Sequence, residues 1–494
     1  MYLLGLDIGS SSIKAAIVRS ADHAVVASAQ QPSEEMEIIA VQPGWAEQKP
    51  EVWWQYTQLA IKSVIEQSGI NGQDITSVGI SYQMHGLVLV DKDQNVLRPA
   101  IIWCDSRAVS IGDQAFQDIG PTYSLENYLN SPGNFTASKL KWVKENEPDI
   151  YDRIHKVLLP GDYIAMKLTG ELSTTVSGLS EGILWNFKEH TTANKLLDYY
   201  GIAPSLIAEP MPSVSLQGRL RAEVATSLGL SPKTVVSYRA GDQPNNAMSL
   251  GVLEPGQIAA TGGTSGVVYG VTDQYIYDKK SRVNTFAHVN HSAKLPRLGV
   301  LLCINGAGIQ YAWMRKNIAG SKTAYNDMET LAGEVPIGSD GLRILPFGNG
   351  AERMLENKDQ GATIRNLRFS NHTSAHMYRA ALEGIACSFA YGCEVLSDLG
   401  MQLTGMRVGN DNLFRSQIFS QTVANLLDTN IELVQTSGAV GAAKASGVAT
   451  GTYSNLAEAT TGTEIEKQYL PTQKGNIHKE MYQRWRADLD IFNT

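Results

Sequence analysis

Residues 5–17 of this 494-residue chain read Gly-Leu-Asp-Ile-Gly-Ser-Ser-Ser-Ile-Lys-Ala-Ala-Ile. Leu4, Leu6 and Ile8 alternate onto one face of a short run, and Ile13, Ala15 and Ile17 onto one face of the next. Gly9-Ser10-Ser11-Ser12 lies between them. The pattern predicts a β-hairpin whose tip offers backbone N–H groups and hydroxyls. It returns roughly 250 residues later, where residues 257–260 lead into Thr261-Gly262-Gly263-Thr264-Ser265-Gly266 and Val267-Val268-Tyr269 leads out. A chain that opens each half on the same strand–turn–strand unit is constrained towards a duplicated fold. Neither turn fits GxGxxG opening a helix or GxxxxGK[ST], so the two commonest phosphate-loop frames are excluded.

Alternating helical and extended patterns fill both halves. Helix-like stretches cover 50–67, 136–145, 374–397 and 416–427; strand-like ones cover 77–81, 86–90 and 98–103. The length suits two or three domains. We read two α/β domains, 1–241 and 242–494, meeting near Arg239-Ala240-Gly241-Asp242, without a low-complexity linker. Composition narrows the function classes. Forty-one Lys and Arg against 49 Asp and Glu give a formal net charge of −8, a poor match for nucleic acid or an anionic membrane. No apolar run reaches membrane-spanning length, and MYLLGLDIGS lacks the basic start and apolar stretch of a secretion signal. Cys104, Cys303, Cys387 and Cys393 show no metal-site spacing and read as buried thiols of a reducing compartment, so the expected location is cytoplasmic.

Asp7 ends the first strand, where an acid is costly to bury unless it meets a cation or donors. It reads either as a Mg²⁺ ligand, direct or through water, beside phosphates at the Ser-rich tip, or as a carboxylate capping its own turn. Asp242 follows Gly241 and opens a helix; alone it reads first as an N-cap, and second as a general base for a hydroxyl attacking phosphorus. Met84-His85 interrupts two strands, and Trp103, Asp105 and Arg107 end a third. Such residues suit a polyhydroxylated ligand, although Asp105 and Arg107 read individually as a local ion pair and His85 as a satisfied loop histidine. His288 and His291 read as structural. Gly306 and Gln310 lie at a Gly-rich entry to a helix, Gly409 and Asn410 end a short strand, and residues 437–443 open a Gly–Ala helix. Several such turns in one half favour a nucleotide groove.

The ordered series of segments resembles the FGGY family of carbohydrate kinases over essentially the whole length. It comprises GLDIGSSSIKAAI at 5–17, QMHG at 83–86, RPAIIWCDSR at 98–107, GNFTASKLKWVKENEPDIY at 133–151 and LPGDYIAMKLTGE at 159–171. AGDQPNNA at 240–247, GGTSG at 262–266, NGAGIQ at 305–310 and ALEGIA at 381–386 complete it. The resemblance implies two duplicated actin-like (ribonuclease-H-like) domains with an interdomain cleft, and ATP and Mg²⁺ as cofactors. The similarity is greatest to the D-xylulose-phosphorylating branch, implying ATP-dependent formation of D-xylulose 5-phosphate; another ketose or a polyol such as ribulose or glycerol is the alternative acceptor. It implies that Asp7 places Mg²⁺–ATP, that Asp242 is the base, and that Met84, His85, Asp242 and Gln243 contact the sugar. It maps nucleotide contacts to Ser11, Gly263, Thr264, Gly306, Gln310, Gly409 and Asn410. A homodimer would be in keeping with the family. Two departures stand out. Gly409-Asn410-Asp411-Asn412 replaces a Gly-rich turn, and Asn366 stands where Gly is usual. An actin- or chaperone-like ATPase is the rival class, but it gives no reason for the polar clusters at 83–86 and 240–243. A non-catalytic sugar sensor is disfavoured because both acids are present.

Overall fold

The computed structural model describes residues 1–410 and 412–493. The first hairpin forms as the alternation predicts. β1 (Tyr2–Ile8) and β2 (Ile13–Arg19) pair antiparallel with Ile8 opposite Ile13, and β3 (Val25–Gln31) continues from β2. With β4 (Ile75–Tyr82), β5 (Val214–Arg219) and β6 (Val235–Gly241) they make a six-stranded sheet in the order β5-β6-β4-β1-β2-β3. The β6–β4 and β4–β1 pairs are parallel and the others antiparallel. The second half builds β7 (Gln257–Gly262), β8 (Gly266–Thr272), β9 (Asn284–Ala287), β10 (Leu298–Ile304), β11 (Gly405–Gly409), β12 (Ile431–Val434) and β13 (Ile465–Tyr469). Their order is β9-β10-β8-β7-β11-β12-β13, again with two parallel pairs, β7–β11 and β11–β12. Strand for strand, β7, β8 and β10 repeat β1–β3, β11 and β12 repeat β4 and β6, and β13 repeats the antiparallel edge β5. β9 is an addition at the far edge. The duplication read from the two turns is therefore a duplication of whole sheets.

Helices cover both faces, which is why the central strands are apolar on both sides. α1 (Pro50–Ser68) starts on a proline and stops at left-handed Gly69, burying Trp53, Ala60, Ile61 and Val64. α2 (Thr136–Asn146) and α3 (Val176–Glu181) belong to an insertion in the first half, whose core also takes Phe286 from β9. α4 (Asp242–Ser249) follows β6, α5 (Gly308–Met314) follows β10, and α6 (Ser374–Asp398) and α7 (Gln417–Leu427) flank β11. α8 (Gly438–Ala449) follows β12.

The Gly–Ala helix is a correction to the sequence reading. α8 does not line a nucleotide groove along its length; it crosses to the first sheet and lies on β1 and β4. Its approach is so close that a Cβ on Gly5 would sit 1.8 Å from the Ala439 carbonyl oxygen, and one on Gly79 1.9 Å from that of Ala442. Ser77 and Ser446 share a hydroxyl hydrogen bond of 2.8 Å, and Ser237 donates to the Ser446 carbonyl at 2.8 Å. Small residues thus let the second half's last sheet helix stitch the two halves together. The expected strands at 86–90 and 98–103 shrink to Val88–Val90 and Ala100–Ile101, because they pair in two-stranded ribbons outside the main sheet. Asn366 has φ +59°, the left-handed region where Asn is the best substitute for Gly, and its amide donates to Gly341 at 3.1 Å. Among the described residues no helix is long and apolar enough to cross a membrane.

Candidate active site

Parallel strands β1, β4 and β6 end level with one another, with Ser81 opposite both Asp7 and Ala240 and Tyr82 opposite Gly241. Asp7 and Asp242 therefore emerge together at the carboxyl edge of the sheet, where open α/β sheets place ligands. Ser81 donates its hydroxyl to Asp7 Oδ1 at 2.9 Å. Asp242 is not an N-cap. Gly241 occupies that position, and no side chain caps α4. The carboxylate is instead half-buried in the cleft, where burial, then the charge of Asp7, push its pKa up to about 7 against the opposing pull of Gln243's polar groups. The amino end of α8 closes on the same point. A Cβ on Gly438 would lie 2.8 Å from Asp7 Cγ, and the Gly438 carbonyl accepts from Asn245 Nδ2 at 2.9 Å. Asn245 Oδ1 is buried without a partner.

Met84 and His85 line the floor beside these acids. A Cβ on Gly241 would stand 2.6 Å from Met84 Cγ, so glycine there seats Met84 directly under the β6–α4 junction. His85 holds a left-handed backbone (φ +62°), with its ring 4.8 Å from Phe135 and 5.5 Å from Phe286. Burial, followed by the nearby Lys139 cation, pulls its pKa down to about 3, so the ring is neutral. Nδ1 lies 3.0 Å from the Glu181 carbonyl oxygen, which can only accept. That contact puts the proton on Nδ1 and leaves Nε2 as an acceptor. Gln243, half-buried next to Asp242, completes the cluster.

Two buried residues of this floor escape sequence reading. Lys139 on α2 donates from Nζ to the carbonyls of His85 (2.8 Å) and Ile102 (2.9 Å), and burial draws its pKa down to about 7. Glu181, at the end of α3, places Oε2 3.9 Å from His85 Nδ1, and burial holds its carboxyl well above the usual range. The helical pattern of 136–145 gives Lys139 no distinguishing mark, and Leu-Ser-Glu-Gly gives Glu181 none either.

Asp105 and Arg107 form the local ion pair rather than a ligand site. The guanidinium chelates Asp105, meets Glu47 at 2.7 Å and lies 3.8 Å over the Trp45 ring. Trp103 is exposed, its indole 3.4 Å from Ser10 Oγ at the first hairpin's tip. Cys104 is exposed too, which corrects the expectation of four buried thiols. His288 is structural as read, bonded to Tyr269 and the Val252 carbonyl.

On the second half a cavity of about 500 Å³ opens between the second hairpin's turn, α5 and the start of α7. Gly263 and Thr264 line it. Their carbonyls accept from Gly308 (3.2 Å) and Ile309 (2.9 Å), and a Cβ on Gly308 would lie 2.2 Å from Gly263 O, so α5 is docked on the turn. Gly306 is not in this lining: it is buried beneath Pro346, and its N–H donates to Glu352 at 2.8 Å. Gln310 is half-buried on α5 with Oε1 unpartnered. Gly409 ends β11, and the Asn410 amide is taken by Glu466 on β13. Asp411 lies outside the described residues. Ser11 is exposed at the first hairpin's tip.

Family models match both halves: the N-terminal domain of the FGGY family of carbohydrate kinases over residues 2–249, and its C-terminal domain over 258–450. A xylulose kinase of Escherichia coli (strain K12) is 29% identical over 95% of this chain and 94% of its own. One of Bacillus subtilis (strain 168) is 28% identical over 92% and 90%. A crystal structure of xylulose kinase from Rhodospirillum rubrum superposes with a TM-score of 0.89 at 25% identity, covering all of both chains.

Proposed function

Because the chain belongs to the FGGY family of carbohydrate kinases, we propose that it transfers the γ-phosphoryl group of ATP to D-xylulose, giving D-xylulose 5-phosphate. The observation that carries this reading is a carboxylate, Asp242, whose pKa burial sets near 7, projecting beside a neutral histidine acceptor on an apolar floor. The similarity to xylulose kinases along the whole chain supports the choice of sugar. His85 Nε2 accepts from a sugar hydroxyl, Met84 and Phe286 give the carbon skeleton its platform, and Gln243 supplies a donor and an acceptor. Asp242 takes the proton of the attacking hydroxyl as its oxygen bonds to phosphorus and the bridging oxygen leaves with ADP.

The nucleotide lies along the second half, its base end in the cavity beside Gly263 and Thr264 and its phosphates between the two hairpin tips and the amino end of α8. Gln310, Gly409 and Ser11 border that path, whereas the engaged N–H of Gly306 and the tethered amide of Asn410 give those two secondary roles. Among the described residues no cluster of three ligating side chains stands ready for a metal. A magnesium ion delivered on the triphosphate needs only one or two carboxylates, and Asp7 fits that role with one oxygen held by Ser81. Bound there, Mg²⁺ neutralises charge on the phosphates. Closing the cleft excludes water and so limits transfer to it.

ADP release with Mg²⁺–ATP across D-xylulose, L-xylulose, D- and L-ribulose, glycerol and L-fuculose tests this reading. Strong stimulation by D-xylulose alone is expected. Stimulation by another sugar keeps the mechanism and refutes the acceptor; equal rates with and without every sugar point to an ATPase.

A further inference from the structure

One half-buried cation beside the sugar floor has no acid to balance it. Arg353 opens a short 3₁₀ turn (Arg353–Leu355) between α5 and α6, and partial burial lowers its pKa. Guanidinium groups taken out of water are ordinarily matched by a carboxylate. Among the described residues no carboxylate pairs with Arg353, whose side chain makes one hydrogen bond, Nη1 to Asn284 Oδ1 at 2.8 Å. Its remaining donors, in a planar fork, are left for something else.

The surroundings say where that fork lies. Asn284 opens β9, two residues before Phe286, whose ring rests on His85. On the other side, Glu352 is fully buried and its two oxygens accept from Asn305 (2.9 Å) and Gly306 (2.8 Å), the residues that lead into α5. The Glu352–Arg353 pair is thus fastened at one end to the nucleotide half and at the other to the strand that covers the sugar floor. The Arg353 charge is felt at His85 and also at Cys303, next to the second hairpin, and Cys303 in turn feels Asp242. The guanidinium is anchored on β9 beside the sugar floor, while its neighbour Glu352 is anchored on the segment leading into α5.

The geometry points to Arg353 as a catalytic residue that grips the transferring phosphoryl group, from ATP through to the sugar phosphate. This rests on the kinase reading above. In the transfer the sugar oxygen–phosphorus bond forms and the phosphorus–bridging oxygen bond breaks, the electron pair leaving with ADP and the hydroxyl proton passing to Asp242. Negative charge spreads over the three equatorial oxygens of the phosphoryl group, and a fork of N–H donors fixed beforehand stabilises that arrangement without reorganising. The free sugar carries no such charge, so Arg353 discriminates between substrate and product.

Calorimetric titration of D-xylulose, D-xylulose 5-phosphate and inorganic phosphate into wild type, Arg353→Met and Arg353→Lys tests this, together with steady-state rates. Arg353→Met is expected to weaken the sugar phosphate and phosphate by at least about tenfold, to leave D-xylulose within about threefold, and to lower kcat by about 10²–10³-fold. Added guanidinium should restore part of that kcat, and Arg353→Lys should fall in between, because a point charge replaces a fork. Asn284→Ala frees the fork without removing its charge and should give a smaller loss with the same selectivity for the phosphorylated ligands. Equal weakening of sugar and sugar phosphate by Arg353→Met, or no change in either, would overturn the assignment. Failure of wild type to turn over D-xylulose would instead refute the acceptor, while the inorganic phosphate titrations still decide the role of Arg353.

Discussion

The two sheets share a strand order but not a chemistry. Counting back from the hairpin tips, Asp7 of β1 corresponds to Thr261 of β7, since Asp7 faces Lys14 one pair below the turn and Thr261 faces Val267 in the same place. Likewise β6 runs straight into Asp242, whereas β12 runs into Ser437 and the small residues of α8. The first copy therefore holds both carboxylates, and its insertion adds His85's floor. The second copy holds the neutral turn and the cavity. Duplication supplies two equivalent strand edges; on the proposed reading, substitution at a few strand ends decides which edge binds the nucleotide and which reacts.

The largest expected effect breaks that asymmetry on the reactive side. Asp242→Asn should lower kcat by roughly 10³-fold or more while nucleotide affinity, measured by titration, stays within about twofold. Near-normal turnover would remove Asp242 from the chemistry. The pH dependence follows with a defined sign. A base with its pKa raised to about 7 is protonated and inactive below that pH, so kcat/KM should fall about tenfold per pH unit below 7 and level off above it. Asp7→Asn removes a negative charge that raises this pKa, so the midpoint in the remaining activity should move to lower pH.

Glycines sharpen the comparison next. Gly79 on β4 sits 1.9 Å, at its would-be Cβ, from the Ala442 carbonyl, while Gly405 on the corresponding strand β11 has open space. Gly79→Val should cost about 3 kcal/mol in urea unfolding, and Gly405→Val less than about 1 kcal/mol. Similar costs would mean that α8 does not lock onto the first sheet. His85→Ala should raise the ketose KM by about tenfold, the worth of one hydrogen bond, with the KM for ATP unmoved. The smallest effect belongs to Asn410→Gly: with its amide taken by Glu466, it should change the ATP KM by less than about threefold.

Much of this was legible in the sequence because strand alternation and polar turns are local. The two hairpins, α1 and α6 follow from local patterns, whereas the level endings at Asp7 and Asp242 depend on both strands pairing with β4. The Gly–Ala helix was misread because whether small residues face a ligand or another backbone depends on what lies across from them, and Gly5 and Gly79 are more than 350 residues away in sequence. Lys139, Glu181 and Arg353 were invisible for a similar reason. Each is an ordinary surface residue type, and only the packing of the insertion, or of the turn at Arg353 between α5 and α6, brings it against the site. The Asp105–Arg107 pair shows the converse: strand-end polar residues that look functional can be taken up by each other and by neighbours such as Glu47.

The division of labour between the halves is tested most directly by hydrogen exchange with ADP and with D-xylulose added separately. The account predicts that ADP protects 262–266 and 308–316 and leaves 83–86 unchanged, while D-xylulose protects 83–86 and 241–246 and leaves the second hairpin unchanged. Protection of the sugar floor by ADP alone, or of the second hairpin by D-xylulose alone, would contradict it.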